Sequence, residues 1–393
     1  MDSPYSLRRF AVLRSLSSFF YNPMTRAVGL VFAADSFLFG SWVARIPFIK
    51  YQLGLNDAQL GLALFAMPIG SILMNPFTGR IIRAIGSANA SLLGGILFFL
   101  SVLLPIHAGT LGVLTAGLFF MGIFTALLNV AMNTAVTNIE REQNIRIMST
   151  CHGMWSLGGM FGSALAGLLI WANIPANYHM IGVAIFLVSS LLLLKDQLTS
   201  IPEIRQADGS SLAKPTPELL ILIFIGITIS VGEGLAFDWS AIYLREVSHA
   251  TASVSALGFA FFAFAMTLGR FIGDSFIPHI GEKRLLLFGG ILGALGLSLA
   301  VLIPAPSIVL LGFLLLGFGC SLGAPILYAA SMRLPHTAPA AGLATYATFS
   351  FVGFMAGPPM VGFVAEAFGL SYGLVLVGLL LVLGSVVSRW ARL

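Results

Sequence analysis

Charge is what this sequence has least of. Asp, Glu, Lys and Arg together make up 9% of the 393 residues, while 58% are hydrophobic. A soluble domain carries about a quarter charged residues, so no water-soluble fold covers this much apolar surface with so few charges. The solvent that makes the composition stable is a bilayer. A transmembrane β-barrel is excluded by periodicity. Barrel strands alternate apolar and polar over roughly ten residues, whereas the runs here, such as Leu111 to Val136, are nearly continuous. Their length matches a helix crossing about 30 Å of hydrocarbon.

Cysteine is nearly absent. Cys151 and Cys320 both lie inside apolar runs, which suits small buried side chains rather than a disulfide or a metal site. No Walker loop, GxSxG, HExxH or cysteine–histidine metal spacing occurs. The expectation is therefore no enzyme, no cofactor and no metal. The net charge of +5 is spread over short loops, so no nucleic-acid partner is expected. The N-terminal stretch holds Arg8, Arg9, Arg14 and Arg26 without a small-residue cleavage site, so no cleaved signal peptide is expected.

Breaking the chain at charges and Gly/Pro/Asn clusters gives twelve spans, near 27–49, 58–79, 88–106, 111–137, 147–171, 178–194, 218–244, 253–277, 285–303, 307–331, 340–364 and 371–389. One side collects Arg8, Arg9, Arg14, Arg26, Arg80, Arg83, Arg141, Arg146, Lys195, Arg205, Lys214, Arg270, Lys283, Arg284, Arg333, Arg389 and Arg392; the other holds Arg45, Lys50 and Arg245. Basic loops stay cytoplasmic, which predicts a multi-pass bacterial inner-membrane protein with both termini in the cytoplasm. The polar stretch 195–217, with Pro202, Gly209, Pro215 and Pro217, reads as a cytoplasmic linker. It separates a first six-helix bundle (27–194, after an N-terminal segment 1–26) from a second (218–393).

The halves echo each other. Span 1 contains Trp42 in FGSWVARIPF and span 7 contains Trp239 in AFDWSAIYL. Spans 5 and 11 each carry a GxxxG, Gly158/Gly162 and Gly353/Gly357, a spacing that lets membrane helices approach closely. All four glycines are expected at helix–helix contacts. The fold class is then an all-α membrane protein of twelve helices in two pseudo-symmetric bundles.

These segments carry a resemblance to a known family. SWVARIPFIK (Ser41 to Lys50), NVAMN (Asn129 to Asn133) followed by Ile139–Glu140, MSTCHGMWSLGG (Met148 to Gly159), EGLAFDWSAIYLRE (Glu233 to Glu246) and GRFIGD (Gly269 to Asp274) together resemble the major facilitator superfamily, and within it the MosC/YbjJ-type group, which is related to fucose permeases. The resemblance covers essentially the whole chain and implies a secondary transporter. Two positions depart from the pattern. Arg83 stands where the loop between spans 2 and 3 usually has Asp, with Pro278 in that place in the second copy. Asn129 stands where fucose permeases have an acid associated with proton coupling.

Polar residues inside spans are functional candidates, because a charge at the bilayer centre costs about 2.5–3.5 kcal/mol on insertion scales. Asp35 lies roughly 13 Å into span 1, and Trp42, seven residues on, returns to nearly the same face. Glu233 is mid-span between Gly232 and Gly234. Asp238 lies roughly 140° further round the same helix, where it can meet Arg45 as an outer gate, beside Trp239. Asn129 and Asn133 share one face of span 4 and offer paired amides to a hydroxylated ligand. His152 shares a face with Ser156 in span 5. Trp155, Tyr243, Tyr328 and Tyr346 read as packing. Arg270 and Asp274, four apart, read as an intrahelical pair that gates the cytoplasmic side. The favoured function is transport of a small polar solute, a sugar or polyol, by alternating access as a monomer, with protons as the coupling partner. An exporter of amphipathic or cationic compounds, a uniporter and a non-transporting receptor are the alternatives.

Overall fold

The computed structural model describes residues 19–203, 213–214, 216–335, 337 and 339–391. Arg8, Arg9, Arg14, Arg205, Gly209, Pro215 and Arg392 of the charge and linker reading lie outside them. Twelve helices among the described residues are long and apolar enough to cross a membrane, and no strand occurs. They are α1 Pro23–Val43, α2 Asp57–Ile85, α3 Ser87–Ile106, α4 Leu111–Gln143, α5 Thr150–Trp171, α6 Ala176–Leu193, α7 Pro217–Glu246, α8 Ala252–Ile272, α9 Glu282–Leu302, α10 Pro306–Met332, α11 Ala341–Phe368 and α12 Leu370–Trp390. An even number of crossings puts the first residues of α1, the α6–α7 connection and the end of α12 on one face, called here the terminal face.

Local chemistry sets the ends. Asn22 accepts a hydrogen bond from the Met24 amide, with Pro23 at the first helical position of α1. Thr216 and Pro217 repeat that device at the start of α7. The first span does not run unbroken to 49, as its apolar content suggests. It stops at Val43, and a short helix Ile46–Leu53 follows. Pro47 explains the break: it lacks an amide proton, and its ring clashes with the carbonyl four residues back in a continuous helix.

Packing within the halves repeats. α1 lies on α5, α2 on α4, and α3 on α4 and α6; α7 lies on α11, α8 on α10, and α9 on α10 and α12. The contacts between halves obey the same exchange, since α2 meets α11 and α5 meets α8. The chain is thus two pseudo-symmetric six-helix bundles.

Small residues make the closest approaches. A side-chain carbon on Gly158 would run into the Ala33 carbonyl oxygen and one on Gly162 into that of Phe37, so α1 and α5 touch backbone to backbone. Gly40 adds a third such contact against Gly159. In the second half Gly353 meets the Ile227 carbonyl and Ser230 on α7. Gly357 departs from expectation: it is buried, yet nothing lies within 4 Å of where its side chain would point. Here α11 carries Pro358 and Pro359 in its interior, and the close contact moves on to Gly61 of α2 against the Pro358 carbonyl. Gly158→Leu and Gly353→Leu are therefore expected to lose about 1–3 kcal/mol or more by overpacking, seen as a lower melting temperature in detergent, while Gly357→Ala leaves it unchanged.

Candidate solute site at the bundle interface

On the face opposite the termini the halves are locked. Gly54, in the left-handed region at φ 61°, ends the Ile46–Leu53 helix, and Asn56 with Gln59 forms a capping box that starts α2. This tight turn brings Asp57 back to Lys50. The Lys50 ammonium donates to Asp57 Oδ1 at 2.6 Å and, across the interface, to Glu246 Oε1 at 2.6 Å. The Asp57 amide donates to Glu366 Oε2 of α11 at 3.1 Å. Burial alone would lower the Lys50 pKa, but the hydrogen bonds and charges of Asp57 and Glu246 together hold it above the ordinary lysine value. Just beneath, Gly61 meets Pro358, Gly362 meets the Asp57 carbonyl, and Ser163 Oγ donates to the Ala256 carbonyl at 2.5 Å.

Deeper still is an aromatic layer centred on Phe237 of α7. Its ring lies 4.5 Å from Phe259 and 6.5 Å from Phe262 of α8, 6.3 Å from Phe354 of α11, 5.9 Å from Trp155 of α5 and 6.5 Å from Phe39 of α1. Rings from both halves meet at these separations, the range of ordinary aromatic contacts, so the layer closes the interface.

On the terminal side of this layer the side chains turn polar. Asp35, 1% exposed, accepts from Trp155 Nε1 at 2.7 Å and from Thr125 Oγ1 at 3.4 Å. Thr125, Asn129 and Asn133 follow at four-residue intervals on α4, one stripe that begins at Asp35 and runs toward the terminal face. Asn129 is exposed; Asn133 is half-buried and donates to the Asn129 carbonyl at 2.8 Å. Glu233 is half-buried, as is Arg270. Arg270 Nη1 donates across the interface to Ser156 Oγ at 3.1 Å and lies within electrostatic reach of Glu233, His152 and Tyr328. His152, edge-on to Phe32 at 5.3 Å, is surrounded by protein yet keeps solvent-accessible surface. Groups deep in the protein that solvent still reaches line a cleft, and of the hydrogen bonds between halves only the Arg270–Ser156 bond lies on this side among the described residues.

The sequence pattern of the Major Facilitator Superfamily matches residues 27–338. The chain is a member of that superfamily. An uncharacterized transporter of this type from Yersinia pestis is 32% identical over 342 residues, 87% of this chain and 88% of that one. Membrane protein MosC of Rhizobium meliloti is 27% identical over 89% of this chain and 86% of its own. Among solved structures, the nucleoside transporter NupG aligns with TM-score 0.72 at 12% identity, covering 93% of this chain and 98% of that one. A bacterial homolog of the human lysosomal transporter Spinster, inward-facing and unoccupied, aligns with TM-score 0.71 at 16% identity, covering 94% and 97%. At these identities the structures support the fold.

Within this superfamily member, Asp35, Asn129, Asn133, His152 and Glu233 belong to elements that meet around the cleft. Trp42 and Trp239 do not face it: they are 3% and 0% exposed in the core, and the Trp239 indole N–H has no partner. The expected Arg45–Asp238 pair is not made. Because α1 ends at Val43, Arg45 leaves the helical stripe that faced Asp238 and turns into its own half. Its Nε donates to His179 Nδ1 at 3.1 Å and its Nη2 to the Ile174 carbonyl at 3.0 Å. Burial brings its pKa down to about 10, so it stays charged at neutral pH. Asp238 is half-buried beside the aromatic layer. The Asp274 side chain, the expected partner of Arg270, lies outside the described residues; Arg270 reaches Ser156 across the interface. Trp155, read as packing, is the ligand of Asp35. Tyr243 bonds the Ala300 carbonyl within its own half, and Tyr328 stacks edge-on to Tyr346.

Lys50 supplies the test of the lock. Its raised folded value means the stabilisation is fully present below the ordinary lysine value of 10.5 and is lost as pH rises through the raised value. Lys50→Met is expected to cost about 1.5–3 kcal/mol, as a melting-temperature difference from wild type that is constant between pH 6 and 9 and shrinks only above about 10.5.

Proposed function

We infer that this protein is a secondary active transporter that moves a small polar solute, a sugar or polyol, by alternating access, with protons as the coupling ion. One observation carries the reading. Polar side chains from both halves gather on the terminal side of a closed aromatic layer, and tight packing seals the other side. That is the arrangement a solute site takes when it opens to one side at a time. In this reading residues 27–194 and 218–393 rock as two bodies joined by the 195–217 linker, and the terminal face is cytoplasmic in a bacterial inner membrane, as its basic residues suggest.

The paired amides of Asn129 and Asn133 and the acid Glu233 supply donors and acceptors for hydroxyl groups. Asp35 and Glu233 are too short to reach either interface, unlike Lys or Arg, so each must meet water, a cation or a proton. A carboxyl that takes up a proton on one side and releases it on the other couples solute flux to the proton gradient. The aromatic layer favours one second reading, export of amphipathic compounds, in which bulky apolar solutes occupy the space beneath Phe237.

Proteoliposomes loaded with a panel of sugars, polyols and lipophilic cations separate these. The expected result is uptake of a hydroxylated solute with alkalinisation outside, and loss of the proton movement in Asp35→Asn and Glu233→Gln. Solute flux without proton movement, matched by both variants, would sink the coupling; flux of lipophilic cations alone would favour the exporter.

A further inference from the structure

Asp35 is placed differently from the other polar groups of the cleft. Glu233, Asn129 and His152 keep accessible surface, whereas Asp35 is 1% exposed. What stands on it is known atom by atom. The Trp155 indole N–H donates to Oδ2 at 2.7 Å, and the Thr125 hydroxyl reaches Oδ1 at the longer distance of 3.4 Å. The same Trp155 ring touches Phe237 of the opposite half at 5.9 Å. One side chain therefore both covers the acid and rests against the layer that closes the cleft. It sits on α5 one turn beyond His152 and beside Ser156, the acceptor of Arg270.

The other charged and titratable groups around Asp35 are engaged elsewhere. His152 of α5 lies against Phe32. On α6, His179 accepts from Arg45. Glu233 of α7 and Arg270 of α8, both in the second half, lie within electrostatic reach of each other. No ion pair reaches Asp35 among the described residues. Of the two carboxylate oxygens, Oδ2 carries the shorter hydrogen bond, and the indole holds it.

We propose that Trp155 is the positioning residue that gates the proton site: while its indole is seated Asp35 is sealed from the cleft, and its departure opens Asp35 Oδ2 to cleft water. While the ring is away, Oδ2 exchanges protons with cleft water: hydronium protonates the carboxylate and becomes water, or the neutral acid hands its proton to water and leaves the carboxylate. When the ring returns, the exchange stops and the indole N–H is again seated on Oδ2. A solute large enough to press on Trp155 or Phe237 moves the ring, so solute binding and proton access are linked through one side chain. The inference rests on the coupling reading above and specifies how it works.

The test needs no known solute. Dicyclohexylcarbodiimide, an apolar reagent that modifies protonated carboxyl groups, is applied to the full-length protein, and modification of Asp35 is read by peptide mass spectrometry relative to Glu233, which is accessible and serves as the internal reference. The expected Asp35-to-Glu233 ratio is low in wild type, close to wild type in Thr125→Val, a few-fold higher in Trp155→Phe, which keeps a ring but no donor, and at least about tenfold higher in Trp155→Ala. A variant that merely loosened the fold would also lower the melting temperature and expose the buried Cys151 and Cys320 to a thiol reagent, so both readouts are expected to stay at their wild-type values. An unchanged ratio in Trp155→Ala overturns the gate while leaving proton coupling standing. Once a transported solute is in hand, proton movement in Asp35→Asn proteoliposomes equal to wild type removes Asp35 from the coupling, and the gate with it, leaving Glu233 to carry the proton.

Discussion

A charge surrounded by hydrocarbon must be answered by water, a counter-charge or a proton, and the organisation of this protein follows from that constraint. The chain places few ionisable groups inside its helices, and it collects them where its two halves meet. Asp35 on α1, Glu233 and Asp238 on α7 and Arg270 on α8 all lie on helices that take part in contacts between the bundles. The remaining spans are apolar enough to face lipid without penalty. Between bundles, by contrast, a cleft can admit water.

The packing makes such a cleft possible. Within each half, glycines bring α1 onto α5 and α7 onto α11 at backbone distance, so each bundle is dense. Between halves the contacts are layered. An ionic lock built on Lys50, a band of small residues and prolines, and an aromatic layer around Phe237 succeed one another from the face opposite the termini. Past that layer a single hydrogen bond, Arg270 to Ser156, joins the halves among the described residues. The hydrogen bonds between the halves are thus graded, several near one face and one near the other.

The architecture was legible in the sequence because it depends on bulk quantities. Twelve apolar runs, an asymmetric distribution of Lys and Arg and a polar middle stretch require no knowledge of side-chain partners. Individual glycines were half legible: Gly158, Gly162 and Gly353 lie at close contacts, but Gly357 does not, because Pro358 and Pro359 change the course of α11 at that point. Site partners were less so. Pro47 was visible, yet its consequence, the end of α1 before Arg45, decides that Arg45 bonds His179 rather than facing Asp238. The Asp274 side chain, the partner that spacing suggests for Arg270, lies outside the described residues, and the Arg270 bond to Ser156 depends on the position of α5, which spacing does not report. Trp155 gave no sign in sequence beyond standing in the His152–Ser156 turn. Its partner Asp35 is 120 residues away, and no periodicity reports a contact between two helices.

The central claim is that the cleft opens to the terminal face and is sealed on the other. Asn129, exposed on the stripe leading from Asp35, is the position to probe, since Cys151 and Cys320 are buried. Asn129→Cys is to be treated with a membrane-impermeant thiol reagent in vesicles of both orientations, with Lys50→Met in parallel. The account requires fast labelling from the terminal face, little from the opposite face, and a rise in the latter when Lys50 is replaced. Fast labelling from the opposite face with Lys50 intact contradicts it.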